Sequence, residues 1–145
     1  MRPIGARRRW PWKVPCAPGP ASLRWQVWSR CWRPQNIDRI RRQKASVLLA
    51  GPGLGYTAQS AARAAETRAL VKTLLPGFSG SAVLDADGLN AAADLLQTEK
   101  MPHPQGELIL TPHPGEMARL TGRSAAEINA DREGMALRYA KVWNA

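Results

Sequence analysis

Three short stretches hold the residue types and spacings that could do chemistry. "GPGLG" places Gly51, Gly53 and Gly55 two apart, which lets a backbone come close to a ligand. A helix starting just beyond could offer free N–H groups to an anion. "DADGLN" offers Asp85 and Asp87, with Asn90 three further on. This set suits polar support of a phosphate or magnesium site, and it equally suits helix capping with Asp87 as the N-cap. "TPHPGE" sets His113 between Pro112 and Pro114 and follows with Glu116. A neutral imidazole can hydrogen-bond an amide or a ribose, and the two prolines would limit its movement. Pro114 also suits the first turn of a helix, where Glu116 would favour the dipole.

Each stretch has a plainer reading. GPGLG is also what a strand-exit turn looks like, and it matches neither the G-x-x-x-x-G-K-[ST] nor the G-x-G-x-x-G pattern. TPHPGE alone is a capped helix start with an incidental histidine. His103, in the turn-rich "MPHPQG", reads as solvent-exposed.

Strands and helices must position these loops. "SVLLA" (46–50), "SAVL" at the head of 81–90 and "ELILTPH" (107–113) are short apolar runs that read as strands. "AQSAARAAETRALVKTLL" (58–75), "LNAAADLLQ" (89–97) and "PGEMARLTG" (114–122) read as helices, the last ended by Gly122. "SAAEINADREGMALRYAKVW" (124–143) reads as one further helix. Ser124 and Glu127 have capping-box spacing there, and Ile128, Met135 and Val142 fall on one face. Strands alternating with helices predict an α/β fold with a mainly parallel sheet and right-handed crossovers. Strands this uniformly apolar are expected to be covered on both faces. Ligands bind beyond the carboxyl ends of such strands, and all three loops belong on that rim.

Charge divides the chain. Residues 1–45 hold 12 of the 21 Lys and Arg and one acid, Asp38, whereas residues 46–145 hold 9 basic and 10 acidic residues. The net charge of +10 therefore belongs to a segment, and a nucleic-acid function for the remainder does not follow from it. The same first segment contains Trp10, Trp12, Trp25, Trp28 and Trp32, and both cysteines, Cys16 and Cys31. Their spacing, with no nearby histidine, is unlike a zinc site. "RRRWPWK" and "RWQVWSRCWR" would suit phosphate contact and base stacking. A basic tail without specific role and an out-of-frame translation are the alternative readings. No apolar stretch reaches the ~18 residues of a membrane span.

Taken in order, "LLAGPGLG", "AVLDADGLN" and "LILTPHPGEMARLTG" resemble the ADP- or ATP-dependent NAD(P)H-hydrate dehydratases over roughly residues 46–145. The resemblance implies a partial ribokinase-like three-layer α/β/α sandwich. It implies phosphoryl transfer from ADP or ATP, with Mg2+, to the hydroxyl of hydrated NADH or NADPH (NADHX, NADPHX), and elimination of phosphate to restore the nicotinamide ring. Gly51, Gly53, Gly55, His113 and Glu116 would then contact substrate, and Asp85, Asp87 and Asn90 would support the phosphate region. The family pattern goes on to a Lys-Gly turn and a GTGD-like loop carrying the base, and neither lies within these residues. No catalytic residue is therefore assigned, the base being expected beyond Ala145. The chain is expected to be a C-terminally truncated, poorly stable and inactive fragment. The resemblance also implies a cytoplasmic, homo-oligomeric full-length enzyme, fused to or paired with an NAD(P)HX epimerase. The alternatives are a ribokinase-like hydroxymethylpyrimidine or thiazole kinase, and a basic nucleic-acid-binding module using residues 1–45.

Overall fold

Apolar, partly β-branched runs pair side by side to form the sheet. The computed structural model describes residues 45–56 and 60–145, so the readings made for the basic N-terminal segment lie outside the described residues. Strands β1 (Val47–Ala50), β2 (Ser81–Leu84) and β3 (Leu108–Leu110) form a parallel sheet in the order β1-β2-β3. β2 is the four-residue SAVL strand expected, whereas β1 and β3 are shorter than the sequence suggests. β3 ends at Leu110, because Pro112 has no N–H to continue a ladder. The Thr111 N–H still reaches the Leu84 carbonyl at 3.2 Å.

Helix α1 (Ala61–Leu74) links β1 to β2, and its first turn is capped by Ser60, whose hydroxyl accepts from the Arg63 N–H. Helix α2 (Asp87–Leu95) links β2 to β3 and buries Ala91, Ala92 and Ala93. This helix packs between helix Ala61–Leu74 and the helix that follows β3. Helix α3 (Pro114–Thr121) follows β3 and ends at Gly122 with φ +70°, the left-handed conformation glycine adopts without cost.

The predicted single helix over 124–143 is two helices, α4 (Ala125–Ala130) and α5 (Arg132–Trp143). Asp131, at φ −147° and ψ 69°, ends the first, and its carboxylate caps the second by accepting from the Gly134 N–H at 2.9 Å. A short acidic side chain that bonds its own backbone competes with helix continuation. The break resets the helical phase. Ile128 is buried, whereas Val142 is 65% exposed, and Trp143 takes the buried position, its ring 4.8 Å from Tyr139.

The core lies on one face of the sheet. Leu48, Ala82 and Leu108 stand in one row, and they pack with Leu70, Val71, Leu74, Phe78, Leu89 and Met117. The alternate positions differ: Val47 is 42% and Ile109 47% exposed. Cover on both faces was expected, yet among the described residues only one is covered. The physical reason is the strand order. Right-handed crossovers that step in one direction place every crossover helix on the same side, and the other side is filled only where the order reverses.

Candidate functional site: the rim at the carboxyl ends of the strands

The glycine loop turns back on the end of β2. Gly51, Gly53 and Gly55 have φ of +143°, +74° and +82°. A Cβ added to Gly51 would sit 1.7 Å from the Asp85 carbonyl oxygen, so only glycine allows this backbone-to-backbone approach. Leu54 tucks inward as a buried anchor, with its N–H on the Gly51 carbonyl at 3.1 Å. Gly55 donates its N–H to Asp87 Oδ2 at 2.8 Å, and Arg63 Nε reaches the Leu54 carbonyl at 3.1 Å.

The loop exit is held by an acid on α2. The Tyr56 hydroxyl donates to Asp94 Oδ2 at 2.5 Å, and Arg68 Nη1 donates to the same oxygen at 2.8 Å. Burial first, and then the bond to Asp94, pushes the Tyr56 phenol above its ordinary range.

Neither aspartate of DADGLN serves as the side-chain N-cap of α2, which corrects that reading. The N-cap position is Ala86, without a side-chain cap. Asp85 Oδ1 instead accepts from the Ala86 N–H at 2.9 Å, and Asp87 serves the glycine loop. Asn90, half-buried on α2, accepts through Oδ1 from Arg119 Nη1 of α3.

His113 is itself the N-cap of α3. Its Nδ1 accepts from the Gly115 N–H at 3.0 Å and from the Glu116 N–H at 3.4 Å, and Glu116 Oε2 accepts from the His113 N–H at 3.0 Å. This is a reciprocal capping box. An accepting Nδ1 leaves the ring hydrogen of the neutral imidazole on Nε2, 3.4 Å from Glu116 Oε1. The His113 side chain is 67% exposed while that of Glu116 is 10% exposed. The pair thus combines a fixed carboxylate with an imidazole whose edge faces solvent. The plain reading of a capped helix start is correct for the local geometry, and it leaves Nε2 at the surface.

The three loops therefore lie on one rim. Gly51 packs on Asp85, Gly55 is tied to Asp87, the Thr111 hydroxyl donates to the Leu84 carbonyl at 3.2 Å, and Arg119 spans to Asn90. A family model for NAD(P)H-hydrate dehydratase matches residues 28–145.

The chain belongs to the NAD(P)H-hydrate dehydratase family.

Its sheet and crossover helices are part of a ribokinase-like α/β fold, as expected. The match starts upstream of the Ser46 boundary read from composition. Among relatives, the "Bifunctional NAD(P)H-hydrate repair enzyme Nnr" of Moorella thermoacetica is 47% identical over 105 residues, 72% of this chain and 18% of that protein. The same-named protein of Salinibacter ruber is 41% identical over 101 residues, 70% of this chain and 17% of that protein. The "ADP-dependent (S)-NAD(P)H-hydrate dehydratase" of Neisseria meningitidis is 34% identical over 105 residues, 72% of this chain and 33% of that protein. The chain thus spans about a sixth to a third of these relatives' lengths.

For this family member, the rim also contains residues that the sequence reading passed over. Thr111, Arg119, Arg63, Tyr56 and Asp94 all bond within or across the loops. Arg119 could have been flagged by its place one helical turn beyond Glu116. Gly88 was passed over too, and the structure shows its constraint: a Cβ there would lie 2.8 Å from the Ala50 carbonyl oxygen. His103 is half-buried and not the solvent-exposed residue expected, because its loop folds back between the buried Met101 and Pro104. Among the described residues no group of three or more His, Cys, Asp or Glu could hold a metal ion, and no helix is long and apolar enough to cross a membrane.

Proposed function

We propose that this rim is the substrate side of an ADP- or ATP-dependent dehydration that returns NADHX and NADPHX to NADH and NADPH. The observation that carries the reading is the convergence of GPGLG, DADGLN and TPHPGE at the carboxyl ends of three adjacent parallel strands, tied together by the Gly55–Asp87 and Arg119–Asn90 bonds. A glycine loop without side chains admits the dinucleotide closely. His113, held by its own cap, presents Nε2–H to an amide or ribose oxygen, and Glu116 fixes the orientation of the loop. Asp85, Asp87 and Asn90 support the region where a nucleotide phosphate transfers to the substrate hydroxyl. Expulsion of that phosphate with loss of the neighbouring ring proton restores the double bond. Phosphoryl transfer depends on positioning and charge stabilisation, which are the properties a rigid rim supplies.

Mg2+ would arrive on the nucleotide phosphates and needs only about one or two protein carboxylates. Asp85 and Asp87 are hard oxygen donors of the right kind. The relatives' names describe bifunctional repair enzymes and an ADP-dependent dehydratase. ADP as the donor, a homo-oligomeric cytoplasmic enzyme and association with an epimerase activity are proposed with the same reading.

The test is calorimetric titration of the protein with NADPHX and, separately, with a hydroxymethylpyrimidine. Binding of the hydrated dinucleotide, weakened by His113→Asn, is the expected result. Binding of the pyrimidine alcohol alone, with its phosphorylation by ATP, would overturn the reading in favour of a ribokinase-like kinase.

A further inference from the structure

Ala86 lies between β2 and α2 with φ +46° and ψ −115°. An L residue with a Cβ seldom takes this conformation, and such outliers persist only where the surroundings over-determine them. Here they do. The Asp85 N–H is fixed on the Ala50 carbonyl at 3.1 Å, and the Gly88 N–H closes a tight turn on the Asp85 carbonyl at 2.9 Å. Gly51 presses on the Asp85 carbonyl from one side, and Gly88 sits against the Ala50 carbonyl on the other. Glycine at position 86 would adopt the turn freely, yet alanine stands there.

What the strained turn accomplishes is visible one residue on. It begins α2 at Asp87 and sends that carboxylate back across the rim to the Gly55 N–H at 2.8 Å. We propose that Ala86 is a positioning residue whose constrained backbone holds the Asp87 carboxylate on the Gly55 amide, and so sets the shape of the glycine loop. A glycine in its place would relieve the strain but let the turn sample other conformations, and the loop would lose its fixed anchor. Alanine thus exchanges stability for pre-organisation, a trade recurrent at binding sites.

The experiment compares the full chain with its Ala86→Gly variant by thermal unfolding and by amide exchange at Gly55. The variant is expected to melt higher by about 4 °C while its Gly55 amide exchanges about tenfold faster. Asp87→Ala, the control, should speed Gly55 exchange without raising Tm. A Tm for Ala86→Gly that stays or falls, or Gly55 exchange unchanged in either variant, overturns the proposal. Its extension to ligand rests on the reading of the rim as a dinucleotide site and uses NADPH and Mg·ADP as probes. Weaker binding by Ala86→Gly is expected there, and equal affinity overturns the functional part of the positioning role. A wild-type chain that binds neither probe overturns the dinucleotide reading, while Gly55 exchange still decides what Ala86 does.

Discussion

His113 serves two purposes that substitution can separate. As an N-cap its Nδ1 satisfies two amides of α3. As the exposed imidazole of the rim it offers Nε2. Asparagine is a strong N-cap, and with its Oδ1 in the place of Nδ1 its own N–H group lies at the Cδ2 position, one atom short of Nε2, so His113→Asn should keep thermal stability and weaken dinucleotide binding. His113→Ala should additionally lose about 1 kcal/mol of stability, the usual value of a cap, read by denaturant unfolding. Equal affinity in wild type and His113→Asn would reduce His113 to its capping role. Gly51 admits no such separation. An alanine Cβ would lie 1.7 Å from the Asp85 carbonyl oxygen, and one loop or the other must move. Gly51→Ala should cost at least about 2 kcal/mol by urea unfolding, and a near-neutral result would contradict the close approach of the first two loops. The residue types at the rim were legible because glycine, proline and aspartate act on their own backbone. Their long-range partners were not. Tyr56 and Asp94 are 38 residues apart and Arg119 and Asn90 are 29 apart, and no local pattern couples such positions.

At the scale of elements, periodicity located the three strands and the first three helices of the described residues, merged α4 with α5, and misplaced several ends. The break at Asp131 is the clearest case. "DREG" (131–134) carries an acid whose carboxylate can reach the amide three residues on, a capping signal hidden inside a run of good helix formers. Asp131→Ala should therefore destabilise by about 1 kcal/mol, and thermal melts followed by circular dichroism would show it. The start of α4 responds to pH. The Ser124 backbone amide, then its hydroxyl, and then Arg123 hold the Glu127 carboxyl below its ordinary value of 4.5. A carboxyl depressed in the folded state contributes stability above its unfolded value, and that contribution is lost as pH falls through the folded value. Protection of the amides at the head of α4, taken relative to the intrinsic exchange rate at each pH, should hold at neutral pH and weaken as pH falls below the ordinary value of 4.5. Glu127→Gln should remove most of this pH dependence.

For the whole molecule, the α/β class and the parallel sheet followed from alternating strand and helix patterns, and so did the gathering of the loops on one rim. The open second face did not follow. Uniformly apolar strands suggest burial on both sides, but which side is filled depends on strand order, which short runs do not encode. The two faces should therefore answer differently to substitution. Leu108→Ala, on the covered side and 2% exposed, should cost about 2–5 kcal/mol. Ile109→Thr, its neighbour at 47% exposure, should cost less than about 1 kcal/mol. Equal costs would show that the second face is covered in solution.

On the proposed reading, three loops separated in sequence form one dinucleotide site. That reading is tested most directly by amide chemical-shift mapping of the labelled protein during titration with NADPHX. Saturable shifts are expected at Gly51–Gly55, Asp85–Asn90 and His113–Glu116, sharing one dissociation constant, with α5 undisturbed. Shifts confined to one loop, shifts on α5, or no saturable response would contradict it.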